Sequence, residues 1–459
     1  MAYTYLAGER KVRPGVYQRV SKLESSTGAG AINGVVAFVI NAAWGPVDKV
    51  TTHETAKSIR DTYGAGDSVD AACAIIEAGA TTVYIKRVTG TNGTAGAAEI
   101  GTVVKLESKY PGARALVVKI KEKAGDATTK QIVVLEGVSV IETLEFTAGQ
   151  ADETAAFIEA VAESKYITAT KLTDGVIVNG EYELNGTNPT VTAADYADAY
   201  YALEPFRYNV MVTDSISTDV FATLCAYAEE SYDTGKMSMF VGGTDTKVPL
   251  NTRMNNAKAC NSARIVYFGG AWEDNSGNIV SGVKAIAYVA GLIAATPANK
   301  SIVHASIAGA TDVPEKLTNA EYVNAIKNGL LLVSVGSDGQ VWFDSGINTL
   351  INPNAEQDEG WKKIRRVKTR YELMDRIDRV VAPQVGKINC DKDGIAFIIQ
   401  MATGIIKDMI AEGKLSAGTF YEDPENPFEA DSAWFVIDCD DIDSLEKIYL
   451  HYRFRYSAN

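Results

Sequence analysis

Both ends of this 459-residue chain read as β-strands with no partner close by in sequence. Near the C-terminus Ile448, Leu450, Tyr452, Phe454 and Tyr456 alternate with Tyr449, His451, Arg453 and Arg455. In an extended chain a period of two puts these sets on opposite faces, one apolar and one polar or cationic. Near the N-terminus Tyr3-Thr4-Tyr5 and residues 12–20 are extended in character, and Arg13-Pro14-Gly15-Val16-Tyr17 supplies a bend. Pro14 pushes Arg13 toward extended geometry, and Gly15 permits a turn that other residues make only at a cost. Strands without a hairpin mate must pair at a distance. They either dock on the chain's own sheet, which ties down a terminus, or pair with another chain. The second reading makes this a protein built for assembly.

A chain of this length exceeds what one core supports and predicts about two to four domains. The hydrophobic share of 46% and charged share of 22% are those of a globular protein. A formal charge of −14 argues against nucleic acid as a partner, because phosphate binding needs a basic surface. Residues 1–10 lack the basic start and apolar segment of a secretion signal. The apolar run 35–44 is too short to span a bilayer, so no direct membrane insertion is expected. Cys73, Cys225, Cys260, Cys390 and Cys439 are scattered and odd in number. They read as free thiols in a reducing cytoplasm.

Along the chain, a Gly/Ala/Ser-rich hinge at 25–30 precedes Val35-Val36-Ala37-Phe38-Val39-Ile40. Unbroken apolarity over six residues predicts a strand buried on both faces. Helices are expected over 55–63 and 68–78, the second capped by Asp67 or Ser68 and stopped by Gly79, and a strand over 82–88. This opening is a strand–helix–strand unit of α/β type. Residues 89–98 read as a linker. Short strands follow at 116–120, 131–135, 142–146 and 176–178, with one helix over 152–163. Alternating helices (195–203, 218–230, 284–294) and strands (208–212, 237–241, 263–268) then resume. From Trp361 the residues Ile364, Val367, Tyr371, Met374, Ile377 and Val381 form one apolar helix face. Lys362, Lys363, Arg365, Arg366, Lys368, Arg370, Arg376 and Arg379 make the opposite side a basic stripe on an acidic protein. A helix over 394–412 and strands over 433–438 and 447–456 complete the chain.

The expected fold class is thus an α/β core with an inserted small β-rich domain and an α+β C-terminal domain, carrying extended terminal strand arms. The divisions fall at 1–25 (arm), 26–90 and 191–355 (core), 91–190 (insertion) and 356–459 (C-terminal domain with its strand arm).

No catalytic constellation emerges. Gly28-Ala29-Gly30 precedes a strand, the wrong side for a dinucleotide turn. Gly336-Ser337-Asp338-Gly339 lacks the spacing of a nucleophile elbow and reads as a hairpin turn. His53, His304 and His451 are far apart in sequence and offer no metal spacing. The run Asp438, Asp440, Asp441, Asp443 lacks the glycine and glutamate of a calcium loop and reads as a solvated turn. No cofactor, metal or enzymatic activity is expected.

Several segments together resemble the contractile-tail sheath proteins of myophages and phage-like bacteriocins. They are Arg13-Pro14-Gly15-Val16-Tyr17, Lys109-Tyr110-Pro111-Gly112-Ala113-Arg114, and Gly186-Thr187 with Val191-Thr192-Ala193-Ala194-Asp195-Tyr196, ending at Asn209. Ala287-Tyr288-Val289-Ala290-Gly291 with Asn299-Lys300-Ser301 and Ile347-Asn348-Thr349-Leu350 is the most specific stretch. The helix over 361–379 is similar to the one that opens the family's C-terminal domain. Ala115-Leu116 departs from the Gly-Asn-Asp of many relatives.

The resemblance implies a structural subunit that stacks as six-fold discs around an inner tail tube. Its arms would be lent to neighbouring copies, and contraction would drive the tube through a cell envelope. Implied partners are further copies of the chain, the inner tube protein, and baseplate and tail terminator proteins. The implied setting is the tail of a virion or phage-like particle assembled in the bacterial cytoplasm. The side bearing Lys362, Lys363, Arg365, Arg366 and Lys368 is expected to face the tube. Two competing readings are an α/β hydrolase with a subtilisin-like core and a strand-exchanging surface-layer protein.

Overall fold

The computed structural model describes residues 33–149 and 152–455, together with the backbone of Tyr3–Thr4 and Tyr17–Gln18. Those two short strands pair with each other in parallel. Arg13, Pro14, Gly15, Val16 and Tyr456, and the hinge at 25–30, lie outside the described residues.

The central sheet has seven strands. Their order is Leu330–Leu331, Ile265–Phe268, Met239–Gly243, Val210–Thr213, Val35–Ile40, Thr82–Arg87 and Val50–His53. All neighbours are parallel except Val50–His53, which runs antiparallel on the edge. Val36, Phe38 and Ile40 face the helices Asp67–Glu77 and Gly282–Ala295, while Ala37 and Val39 face Ala193–Ala202 and Thr218–Asp233. This is the two-sided burial that an unbroken apolar strand requires. Thr192 caps one of these helices in a reciprocal box with Asp195. Gly291 lets two helices meet closely, since a Cβ there would lie 2.4 Å from the Ile75 carbonyl oxygen.

A β-rich unit leaves this sheet between residues 97 and 184. One sheet has the order Ser139–Thr147, Asp126–Glu136, Leu116–Lys123, Gly180–Leu184, and a second Ile167–Lys171, Val104–Ser108, Ala97–Ile100. With the helix Glu153–Ala162 they enclose a core that includes Leu106, Ile132, Phe146 and Phe157. Two expectations are corrected. The linker at 89–98 ends inside the strand Ala97–Ile100. Residues 176–178 form no strand, because the ladder position beside Leu116–Lys123 is taken by Gly180–Leu184.

The joint between core and insertion is the Pro111-Gly112 turn. Arg87, fully buried, donates to the carbonyls of Ala42 (2.8 Å), Gly45 (2.7 Å) and Pro111 (2.7 Å). Gly112 has φ +149°, and a Cβ there would stand 1.9 Å from the Ala43 oxygen. Only glycine fits so close an approach.

Asn348 links the core to the C-terminal region. Its amide donates to the Ala263 and Trp361 carbonyls at 2.9 and 2.6 Å. The helix Ile364–Val381 follows, then the helix Lys392–Ala411 and an antiparallel pair, Leu415–Glu422 with Phe435–Asp441. Ala402, Ile406, Met409 and Leu415 form the small core between them. Among the described residues Lys392–Ala411 is the one helix long and apolar enough to cross a membrane, and this packing accounts for its apolar inner side. Each strand of the final pair keeps an outer edge without a partner among the described residues.

Candidate functional site

The helix Ile364–Val381 buries Ile364, Val367, Tyr371 and Ile377, as its periodicity requires. Its basic side does not face solvent. Lys363 bonds Asp443 at 2.6 Å and Glu446 at 3.0 Å. Arg366 grips Asp441 through both Nε (2.9 Å) and Nη2. Arg370 adds a bond to the same carboxylate at 3.1 Å and one to Asp358 at 2.9 Å, while its guanidinium lies over the Trp361 ring. Buried Arg365 donates to the Ser444 hydroxyl at 3.2 Å. Lys368 is buried and donates to the carbonyls of Ile293 and Thr296, at the C-terminal end of the helix Gly282–Ala295. That end carries the negative pole of the helix dipole and unpaired carbonyls, so a cation there is well placed. Lys362 pairs with Glu359, one turn away.

The expectation of an outward basic stripe is therefore corrected, and the acidic run is reread with it. Asp438, Asp440 and Asp441 belong to the strand Phe435–Asp441, and Asp441 and Asp443 are the counterions of the stripe. A partly buried guanidinium with a matched carboxylate is better satisfied than either group alone. Burial works to raise Asp441, yet Arg366 and Arg370 hold its carboxyl below the ordinary range. Burial likewise opposes the charge on Lys363, but Asp443 and Glu446 raise its pKa. Burial, helped by the Lys414 charge and opposed by Glu372, pushes Lys368 down to about 7.

The helix is also tied to the final strand pair. Glu372 takes bonds from Arg376 and Lys414, each at 2.6 Å, and Glu412 pairs with the same two cations. Asn299 donates to the Glu412 carbonyl at 3.0 Å, so the core loop at 299–301 touches the same joint.

Beyond Glu446 the chain makes no hydrogen bond or ion pair among the described residues, and Tyr452 and Phe454 stack only on each other. Residues 447–455 form no strand and are all exposed. The expected strand at 447–456 is corrected on this point for residues 447–455, which pair with no strand among the described residues. Ile448 and Tyr452 are each 70% exposed, Leu450 68% and Phe454 93%. Four large apolar side chains on alternate residues are thus left in water beside a sheet with open edges. Phe397, Trp434 and Ile437 on the C-terminal unit are also exposed.

Sequence reasoning found the alternating tail and the basic stripe but missed their connection. Charge complementarity between 362–370 and 438–446 was the available signal. Among the described residues no group of three or more His, Cys, Asp or Glu could hold a metal ion.

Residues 190–349 match the family model described as the phage tail sheath protein central domain. Over these residues the chain matches the phage tail sheath family. The matched span runs from the return into the core through the Asn348 link, so it covers much of the seven-stranded sheet. Over 98% of both chains, the sequence is 23% identical to the phage-like element PBSX protein XkdK of Bacillus subtilis (strain 168). The sheath tail protein of Desulfitobacterium hafniense superimposes with a TM-score of 0.73 at 19% identity, covering 93% of this chain and 100% of that one. The anti-feeding prophage helical sheath in its contracted state gives 0.56 at 12% identity, with 97% and 99% covered. These likenesses show the sheath fold. The hydrolase and surface-layer readings gain no support from them.

Proposed function

We propose that the chain is the subunit of a contractile tail sheath, stacking as hexameric discs around an inner tail tube and linked to its neighbours by exchanged terminal strands. The observation that carries this reading is the tail at 447–455, apolar on alternate residues, exposed and unpaired beside a two-stranded sheet with open edges. A strand of this kind gains backbone hydrogen bonds and buries its apolar face only by joining another copy. The sheath architecture of the anti-feeding prophage relative supports helical stacking. Partners on this reading are further copies, an inner tube protein, and baseplate and tail terminator proteins, all assembled in the bacterial cytoplasm into a particle tail.

Contraction drives the tube through a target envelope and draws its energy from surfaces buried on passing from a metastable to a stable lattice. No nucleotide or ion is needed as fuel. The inner-tube contact expected of Lys362, Lys363, Arg365, Arg366 and Lys368 would have to share side chains that already hold partners. Lys362, whose partner is one turn away, is the best placed of the five.

Negative-stain electron microscopy of the purified protein tests the reading. Striated tubes are expected, and acid, mild denaturant or heat should shorten intact particles irreversibly in a chelator. Monodisperse monomers at every concentration, or a strict ATP or calcium requirement for shortening, would refute it.

A further inference from the structure

The basic stripe and the acidic run lie 75 residues apart in sequence, measured from Arg366 to Asp441, yet they meet along one line. Asp441 ends the last strand between Arg366 and Arg370, and the Ile442 amide donates to the Lys414 carbonyl at 3.1 Å. Asp443 and Glu446 share Lys363, Ser444 accepts from Arg365, and the Ser301 hydroxyl donates to Glu446 at 3.5 Å. Five of the six residues from 441 to 446 are thereby held, although the segment has no ladder of its own beyond Asp441. From Lys447 to Arg455 the chain is exposed.

We propose that the stripe is an ionic clamp fixing the point and direction at which the C-terminal arm leaves the subunit. The hinge of the arm then lies at 446/447, five residues past the position where the strand ends. The occupant awaiting the arm is the open strand edge on a second copy of this chain, and this part rests on the function proposed above.

A pinned root shortens the mobile tether and orients the strand before it docks. Ordering that would otherwise oppose binding is done in advance. Partly buried charge pairs suit the task, because they hold direction more firmly than an exposed pair and involve no apolar packing that would compete with the arm's own face. The clamp also keeps five residues of tether from opening into slack when neighbouring subunits move apart.

The test uses the full chain and three variants. Asp443 is exposed, so Asp443→Asn leaves the core untouched, while Lys363→Met removes two pairs at once and Lys363→Arg preserves them. In dilute monomer, trypsin cleavage after Lys447 is followed by mass spectrometry, because cleavage reports how freely the flanking residues open. Lys363→Met should raise that rate roughly tenfold, Asp443→Asn less, and Lys363→Arg should restore the parent rate. The concentration giving half-maximal tube formation should rise by about the same factor as pre-ordering is lost.

Unchanged cleavage and unchanged assembly in Lys363→Met, with the parent melting profile, would overturn the clamp. A chain ending at Glu446 separates the two ideas. If it still forms normal tubes, the arm-exchange reading fails. If it is monomeric while Lys363→Met assembles at the parent concentration, only the clamp fails.

Discussion

Arg366 donates through Nε to Asp441 Oδ2 at 2.9 Å and closes its second guanidinium nitrogen on the other carboxylate oxygen. This two-point contact joins the first turn of the helix that opens the C-terminal region to the last residue of its final strand. Arg370 adds a second guanidinium to the same carboxylate, so one aspartate neutralises two cations, with Asp358 completing the group. The C-terminal unit is thereby closed at the place where its exposed tail begins.

The pH dependence of this contact follows from its sign. Asp441 has a folded pKa below its ordinary value, held there against burial by the two arginines. Its contribution to stability is present above the unfolded value of about 3.9 and is lost as pH falls through the lower folded value. Asp441→Asn should cost about 1–3 kcal/mol at neutral pH, because two guanidinium groups lose their carboxylate. Urea unfolding of parent and variant should show that gap undiminished from about pH 7 to 5 and shrinking below about pH 4. A gap independent of pH would show that the loss is one of packing.

The seam between core and insertion gives a second expectation. Burial lowers the Arg87 pKa to about 10, so it remains a cation at neutral pH with three carbonyls around it. Arg87→Met leaves those carbonyls unpaired in a closed site, and each unsatisfied group costs about 1–3 kcal/mol. A total loss of about 3 kcal/mol or more is expected, measured by denaturant unfolding. Gly112→Ala should be comparably damaging, since its Cβ would overlap the Ala43 oxygen and sit on left-handed backbone. Parent-like stability in either variant would mean that the seam relaxes without it.

Much of the core was legible because its signals are local. The run at 35–40 has no polar residue to disguise its burial, Thr192 with Asp195 announces a helix start, and Gly336 and Gly339 sit in the expected turn between Val333–Val335 and Val341–Phe343. Elements with mixed composition escaped. The helices Leu250–Cys260 and Asn319–Lys327 bury few residues, and the strand Leu415–Glu422 alternates small and polar side chains with only Leu415 and Phe420 buried. The role of the stripe escaped for a different reason. A cation's partner is fixed by three-dimensional closure, and eight basic residues along one stretch, six of them on the helix Ile364–Val381, look the same whether their counterions lie on another protein or on residue 441 of the same chain. Pro111-Gly112 and Ile347-Asn348-Thr349-Leu350 were visible as motifs, but their work at the two joints of the subunit was not.

The two open edges of the C-terminal strand pair supply the last expectation. Leu415–Glu422 and Phe435–Asp441 pair only with each other among the described residues, which leaves one free edge on each strand. The arm at 447–455 of a neighbour can close one edge. Burying one face of Ile448, Leu450, Tyr452 and Phe454 would contribute on the order of 1.5–3 kcal/mol per side chain. The remaining edge needs another strand, and the first 21 residues carry a second stretch of strand-like sequence, which spans up to roughly 65 Å once it opens from the Tyr3–Thr4 and Tyr17–Gln18 pairing. Each backbone bond formed there adds roughly 0.5–1.5 kcal/mol net, so several together outweigh a surface ion pair. Deleting residues 1–21 should therefore leave a cooperative melt of the α/β body, because none of the seven core strands lies in that segment. The truncated chain should be monomeric by light scattering and form no tubes. Tubes of normal diameter from the truncation would show that the N-terminal strand serves its own subunit, and that some other surface covers the second edge.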